Sequence, residues 1–134
     1  MNVPTVKVMT VDDQAVFRDV AKEVIEATVG FELVGEATCG EEAVALVGEL
    51  RPDLVLVDVC MPGIGGLETA RRLSACHPAS TTVLVSTADV TSLRGELASC
   101  GAVAFVDKQD FGPSVLRRLW AEHGPRPSPR TAAE

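Results

Sequence analysis

Leu54-Val55-Leu56-Val57, running into Asp58, is the stretch that decides the fold. Four consecutive apolar residues behind Pro52 have the length of a strand and no polar face. A strand of that kind is buried on both sides, which is the mark of a central strand in a parallel sheet covered by helices. Upstream, Val6–Val11 is another short apolar run. Gln14–Ala27 then carries Val16, Phe17, Val20, Ala21, Val24 and Ile25 at helical spacing, with Arg18, Asp19, Lys22, Glu23 and Glu26 opposite them. Phe31–Ala37 alternates, Phe31, Leu33, Gly35 and Ala37 on one side and Glu32, Val34 and Glu36 on the other, which suits an edge strand. Thr38-Cys39-Gly40-Glu41 has the capping-box pattern, Ala43, Val44, Val47 and Leu50 form the helical stripe behind it, and Pro52 ends that helix.

Downstream of Asp58 a Pro- and Gly-containing loop leads to a helix over about Gly66–Cys76, with Leu67, Ala70 and Leu73 inward. Val83–Val85 is a buried strand. Ser92–Cys100 is a short, weak helix interrupted by Gly95 and stopped by Gly101. Ala102–Val106 is the fifth strand, and Ser114–Glu122 the last helix, with Val115, Leu116, Leu119 and Trp120 inward. Five strands alternating with five helices across short loops predict an α/β parallel sheet with helices on both faces. From Gly124 the prolines at 125, 127 and 129 break the pattern. Residues 1–123 read as one domain and 124–134 as a disordered tail.

Composition narrows the function classes. The 134 residues are 46% hydrophobic and 23% charged, enough for one domain with its own core. A net charge of −7 argues against nucleic acid and anionic membrane as partners, because both need a basic face. No apolar run reaches the length of a membrane span, and Met1–Thr5 lacks the start of a secretory signal, so a cytoplasmic chain with reduced thiols is expected. Cys39, Cys60, Cys76 and Cys100 contain no C-x-x-C pair, and only His77 and His123 are present, which excludes zinc-finger, thioredoxin-like and multi-histidine sites.

In an open parallel sheet, chemistry sits beyond the carboxyl ends of the strands. There the sequence places Asp12-Asp13, Asp58, Ser86-Thr87 and Lys108. Singly, each has an ordinary reading: helix caps for the acidic pair, a turn former for Asp58, a local hydroxyl contact for Ser86, a solvated Lys108. Together at successive strand ends they imply a common site. Clustered carboxylates repel one another unless a cation is near, and an all-oxygen donor set favours Mg²⁺ over zinc.

Val11-Asp12-Asp13-Gln14, Asp58-Val59-Cys60-Met61-Pro62-Gly63-Ile64-Gly65-Gly66, Val83–Ala88 and Gly101–Lys108 resemble the receiver domain of bacterial two-component response regulators, over about residues 5–122. The resemblance implies a five-stranded parallel sheet in the order 2-1-3-4-5. It implies that Asp58 accepts a phosphoryl group from a histidine kinase or a phosphotransfer protein. Asp12, Asp13 and Asp58, with the backbone carbonyl of Cys60, would hold Mg²⁺, Asp12 mainly through water. Lys108 and Ser86 would each meet a phosphoryl oxygen. Ser86 is preferred over Thr87 because Lys108 follows it by 22 positions, the family spacing. Phe105 falls where the family has a switch aromatic, with an ordinary core aromatic as the competing reading. The signal would leave through the fourth helix, fifth strand and fifth helix to a protein partner, and a homodimer formed on phosphorylation is a further option. Autodephosphorylation is expected, with the thiol of Cys60 placed to alter water access. Gln109 after the lysine also departs from the usual Pro or Ser. A phosphorylation-independent receiver is the alternative, although no acidic residue and no lysine is missing. A phosphohydrolase of the haloacid dehalogenase type would need an aspartate at position 60, and a flavodoxin-like flavin site would need a Ser/Thr/Gly-rich first loop. Either a stand-alone receiver or part of a longer regulator fits the chain.

Overall fold

A computed structural model describes residues 5–87 and 94–124. The elements run β1 (Val6–Val11), α1 (Ala15–Ala27), β2 (Phe31–Ala37), α2 (Gly40–Leu50), β3 (Leu54–Asp58), α3 (Gly65–Cys76), β4 (Thr81–Ser86), α4 (Arg94–Ser99), β5 (Ala104–Asp107) and α5 (Pro113–His123), with a 3₁₀ turn at Lys108–Asp110. All strand pairs are parallel, in the order β2-β1-β3-β4-β5. The expected fold class is therefore the one observed. Ala88, Asp89 and Ser92, and the Pro/Arg tail beyond Gly124, lie outside the described residues.

The central strand shows why its sequence is uniformly apolar. Leu54 and Leu56 face a core built with Phe17, Ala21 and Ile25 of α1 and Leu116 and Leu119 of α5. Val55 and Val57 face the opposite core, with Ala43 and Val47 of α2 and Ala70 and Leu73 of α3. Every residue of β3 is buried. Alternate side chains point to opposite faces of a strand, and here both faces are dry.

Four local expectations are corrected. First, β2 does not keep one apolar face. Val8 pairs with Leu33 but Met9 pairs with Gly35, so Val34 is an extra residue. This bulge moves every later side chain to the other face: Phe31 and Leu33 pack with the α1/α5 core, whereas Ala37 belongs to the α2/α3 core. Second, the α2 cap is displaced by one residue. Cys39 is the N-cap, and Glu42 rather than Glu41 reaches back, accepting from Thr38 N at 2.6 Å and Thr38 Oγ1 at 3.0 Å. The backbone bond from Thr38, then its hydroxyl, hold the Glu42 carboxyl below its ordinary range. Third, the stripe of α1 is narrower than its sequence. Phe17, Ala21 and Ile25 are buried, but Val16 is 78% exposed and Val20 is exposed too. Arg18, expected on the wet face, is half-buried. Phe105 is likewise not a core aromatic: it is exposed on β5, and Phe111 fills the core beside Phe17 instead.

Candidate functional site

The carboxyl ends of β1 and β3, and the residue after β5, meet at one rim. Asp12 and Asp58 are carried there by strands buried on both faces, which leaves their carboxylates little freedom and little water. Asp12 is 1% and Asp58 4% exposed, whereas Asp13 is exposed. Carboxylate oxygens of Asp12, Asp13 and Asp58 lie within 4.8 Å of one another. The first turn of α1 fixes the acidic pair. Asp12 Oδ1 accepts from Gln14 N at 2.8 Å, Asp12 N donates to Ala37 O at 3.0 Å, and Arg18 Nη1 donates to Asp12 O at 2.7 Å. Arg18 is braced in turn by Glu36 of β2, Nε to Oε1 at 3.3 Å.

Lys108 enters from the far end of the sheet. Its Nζ lies 2.7 Å from Asp12 Oδ2 and 3.6 Å from Asp58 Oδ2. Asp12 Oδ2 meets Lys108 through this ion pair alone; among the described residues no donor stands at a hydrogen-bonding angle to it. Asp58 Oδ1 accepts from Cys60 N at 3.3 Å. Burial pushes the Asp58 carboxyl above its ordinary value and the charge of Asp12 adds to this, while Lys108 and the Cys60 N–H pull the other way. Negative charge is thus in excess at the pocket. A divalent cation with oxygen ligands fits that donor set: Asp12 has an underused buried oxygen, and the exposed side of Asp13 leaves room for water, which Mg²⁺ keeps in its shell.

The loop after β3 holds the acceptor side. Gly63 and Gly65 have φ of +80° and +77°, the left-handed region that glycine tolerates. Gly66 N donates to Val59 O at 3.1 Å, and a Cβ on Gly66 would stand 2.6 Å from Val59 Cα. The N-terminus of α3 therefore lies directly against the backbone of Asp58 and Val59. Ser86, the last residue of β4, is buried beside Asp107 of β5; Thr87 is exposed. Phe105 pairs with Leu84, so strand alternation puts Phe105 and Ser86 on the same face of the sheet.

Sequence reasoning missed two residues of this site, Phe17 and Arg18. Both lie on α1 rather than at a strand end, and their apolar and charged characters were absorbed by the helical pattern. The Phe17 ring centroid is 4.6 Å from Lys108 Nζ. One signal pointed to them: they follow the acidic pair by about one helical turn, the distance at which a helix folds back over its own N-terminal loop.

A 2-1-3-4-5 parallel sheet with three carboxylates and a lysine at one rim defines a phosphoacceptor signalling domain of the flavodoxin-like class. The chain belongs to the response regulator receiver domain family, whose model matches residues 8–119. The response regulator GacA of Pseudomonas aeruginosa is 38% identical over 103 residues, 77% of this chain and 48% of GacA. A protein-glutamate methylesterase/protein-glutamine glutaminase of Geobacillus kaustophilus is 38% identical over 114 residues, 84% of this chain and 32% of that protein. A two-component response regulator of the LuxR family from Aurantimonas sp. superposes with a TM-score of 0.79 at 28% identity, covering 97% of this chain and 94% of that one. The chain spans about half the length of GacA, the first of these curated relatives. Nothing favours a phosphorylation-independent receiver. Among the described residues no helix is long and apolar enough to cross a membrane.

Proposed function

We propose that Asp58 is the phosphoacceptor of this receiver and that Asp12, Asp13, Asp58 and the carbonyl of Cys60 hold Mg²⁺. The observation that carries this reading is Lys108 Nζ, placed between Asp12 Oδ2 at 2.7 Å and Asp58 Oδ2 at 3.6 Å in a pocket of three carboxylates. A carboxylate oxygen of Asp58 attacks the phosphorus of a phosphohistidine on a histidine kinase or phosphotransfer protein. The O–P bond forms as the N–P bond breaks, and the departing imidazole takes up a proton. When bound, Mg²⁺ supplies positive charge to the phosphoryl oxygens. Phosphoryl transfer depends on positioning and charge neutralisation, and the chain's own contribution is Lys108, fixed at the rim to pair with a phosphoryl oxygen. Ser86 donates its hydroxyl to another. The product is an acyl phosphate, labile to water, so the domain erases its own signal, at a rate that the side chain at Cys60 helps set.

The shared face of Ser86 and Phe105 supports an output route. A hydroxyl drawn toward the new phosphoryl group changes the space beside Phe105. The exposed Val103 and Phe105 are the part of the α4-β5-α5 surface that a protein partner, or a second phosphorylated copy, would cover. Domain limits of 1–123 with a tail over 124–134, a cytoplasmic setting, and no direct contact with nucleic acid or membrane complete the reading. The test is intact-mass measurement after incubation with acetyl phosphate and Mg²⁺. The chain gains one phosphoryl group and loses it by hydrolysis, and Asp58→Asn gains none. A full phosphoryl equivalent on Asp58→Asn refutes the assignment.

A further inference from the structure

Lys108 is held from three sides, and only two of them are carboxylates. Its side chain is 7% exposed, with Nζ against Asp12, Asp58 and the face of the Phe17 ring at 4.6 Å from the centroid. That is within the range at which an aromatic ring attracts a cation. The ring is itself fixed. Phe17 is 8% exposed and packs on Phe111, centroids 6.0 Å apart and planes inclined by 55°, so it cannot swing aside without opening the α1/α5 core. Val16 and Val20 of α1, with Thr87 and Gln109, line a groove of about 300 Å³ on the outer side. Phe17 and Lys108 line that groove too.

We propose that Phe17 is a positioning residue for phosphoryl transfer, acting through Lys108. The proposal rests on the reading of Lys108 as the phosphoryl partner. The physical need is specific. An ammonium stripped of water and paired at 2.7 Å with Asp12 would settle on that carboxylate and lean away from Asp58. The ring attracts the charge without offering a directional acceptor, so it offsets lost hydration and leaves the N–H groups free to turn toward Asp58 or a phosphoryl group on it. An aliphatic residue of similar bulk would exclude water equally well and provide no such attraction.

The test compares Phe17→Leu, Phe17→Met and Phe17→Tyr in the wild-type and Lys108→Met backgrounds, with acetyl phosphate as donor. Phe17→Leu and Phe17→Met slow phosphorylation about two- to thirtyfold, the span of a partly to fully desolvated cation–π contact, and Phe17→Tyr stays within about twofold of wild type. In the Lys108→Met background Phe17→Leu produces no further loss, because its effect runs through the lysine. Equal rates for wild type and both aliphatic variants overturn the proposal, and so does a loss of the same size in the Lys108→Met background, which would mark Phe17 as packing only. A second readout needs no phosphoryl donor. The ε-methylene protons of Lys108 are shifted upfield by the ring in wild type and Phe17→Tyr and return toward ordinary values in Phe17→Leu. If wild type takes up no phosphoryl group, the acceptor reading fails, and this shift alone decides the positioning: its absence in wild type overturns it.

Discussion

Gly66 and Gly48 are both helical glycines, and the same substitution should act on them in opposite directions. At Gly66 an alanine Cβ would stand 2.6 Å from Val59 Cα and 2.9 Å from the carbonyl carbon of Asp58, and closer still to the Asp58 carbonyl oxygen. Carbon atoms in contact rest about 3.5–4.0 Å apart, so α3 and the end of β3 must separate by about 1 Å. These neighbours are backbone, which cannot rotate out of the way. Overpacking of this kind costs about 1–3 kcal/mol or more, and stretching the Gly66 N–Val59 O bond costs about 1 kcal/mol more. Better helix propensity returns at most about 1 kcal/mol. The net loss is about 1–3 kcal/mol. The displaced backbone is that of Asp58 itself, and a misplacement of about 1 Å at a reacting group costs on the order of a hundredfold in rate. At Gly48, on the exposed side of α2, a Cβ meets nothing within 4 Å. There Gly48→Ala gains about 0.8–1 kcal/mol and leaves the pocket untouched. Urea unfolding midpoints of the two variants, with phosphorylation rates from acetyl phosphate, test the pair. A Gly66→Ala chain as stable as Gly48→Ala, and phosphorylated at the wild-type rate, would show that the α3–β3 contact does not hold the acceptor in place.

Two further outcomes follow from the charges of the site. Because burial and Asp12 raise the Asp58 carboxyl, the folded chain binds its proton more tightly than the unfolded chain does. Stability therefore falls as pH climbs from the ordinary carboxylate value through the raised one, and stays lower above it. Asp58→Asn should have the higher urea midpoint at pH 7, with the advantage shrinking as pH drops through the raised value toward the ordinary carboxylate one; a constant or reversed difference contradicts the burial argument. Arg18→Ala removes the donor to Asp12 O and the partner of Glu36, and should lower stability by about 1–3 kcal/mol. It should also speed amide exchange at Gln14, whose N–H rests on Asp12 Oδ1; unchanged exchange there would mean that the acidic loop holds itself.

Some of this molecule is legible residue by residue. Leu54–Val57 can only be a strand dry on both faces, and strand and helix periods alternate because each is a property of a few neighbouring residues. Asp12, Asp13, Asp58 and Lys108 could be picked out because a parallel sheet brings all its carboxyl ends to one rim, whatever the packing details. The bulge at Val34 could not, since it depends on what β1 presents to β2. Nor could the exposure of Val16 and Val20, whose apolar character is identical whether or not a neighbour covers them. Glu42 displaced Glu41 as the capping partner because helix entry at Cys39, rather than the pattern, sets which carboxylate reaches Thr38. The contact between Phe17 and Lys108 joins the first helix to the end of the last strand. Short-range periodicity and strand-end position are written in the sequence by itself; which aromatic lies under the lysine is decided only when sheet order and helix packing bring distant segments together.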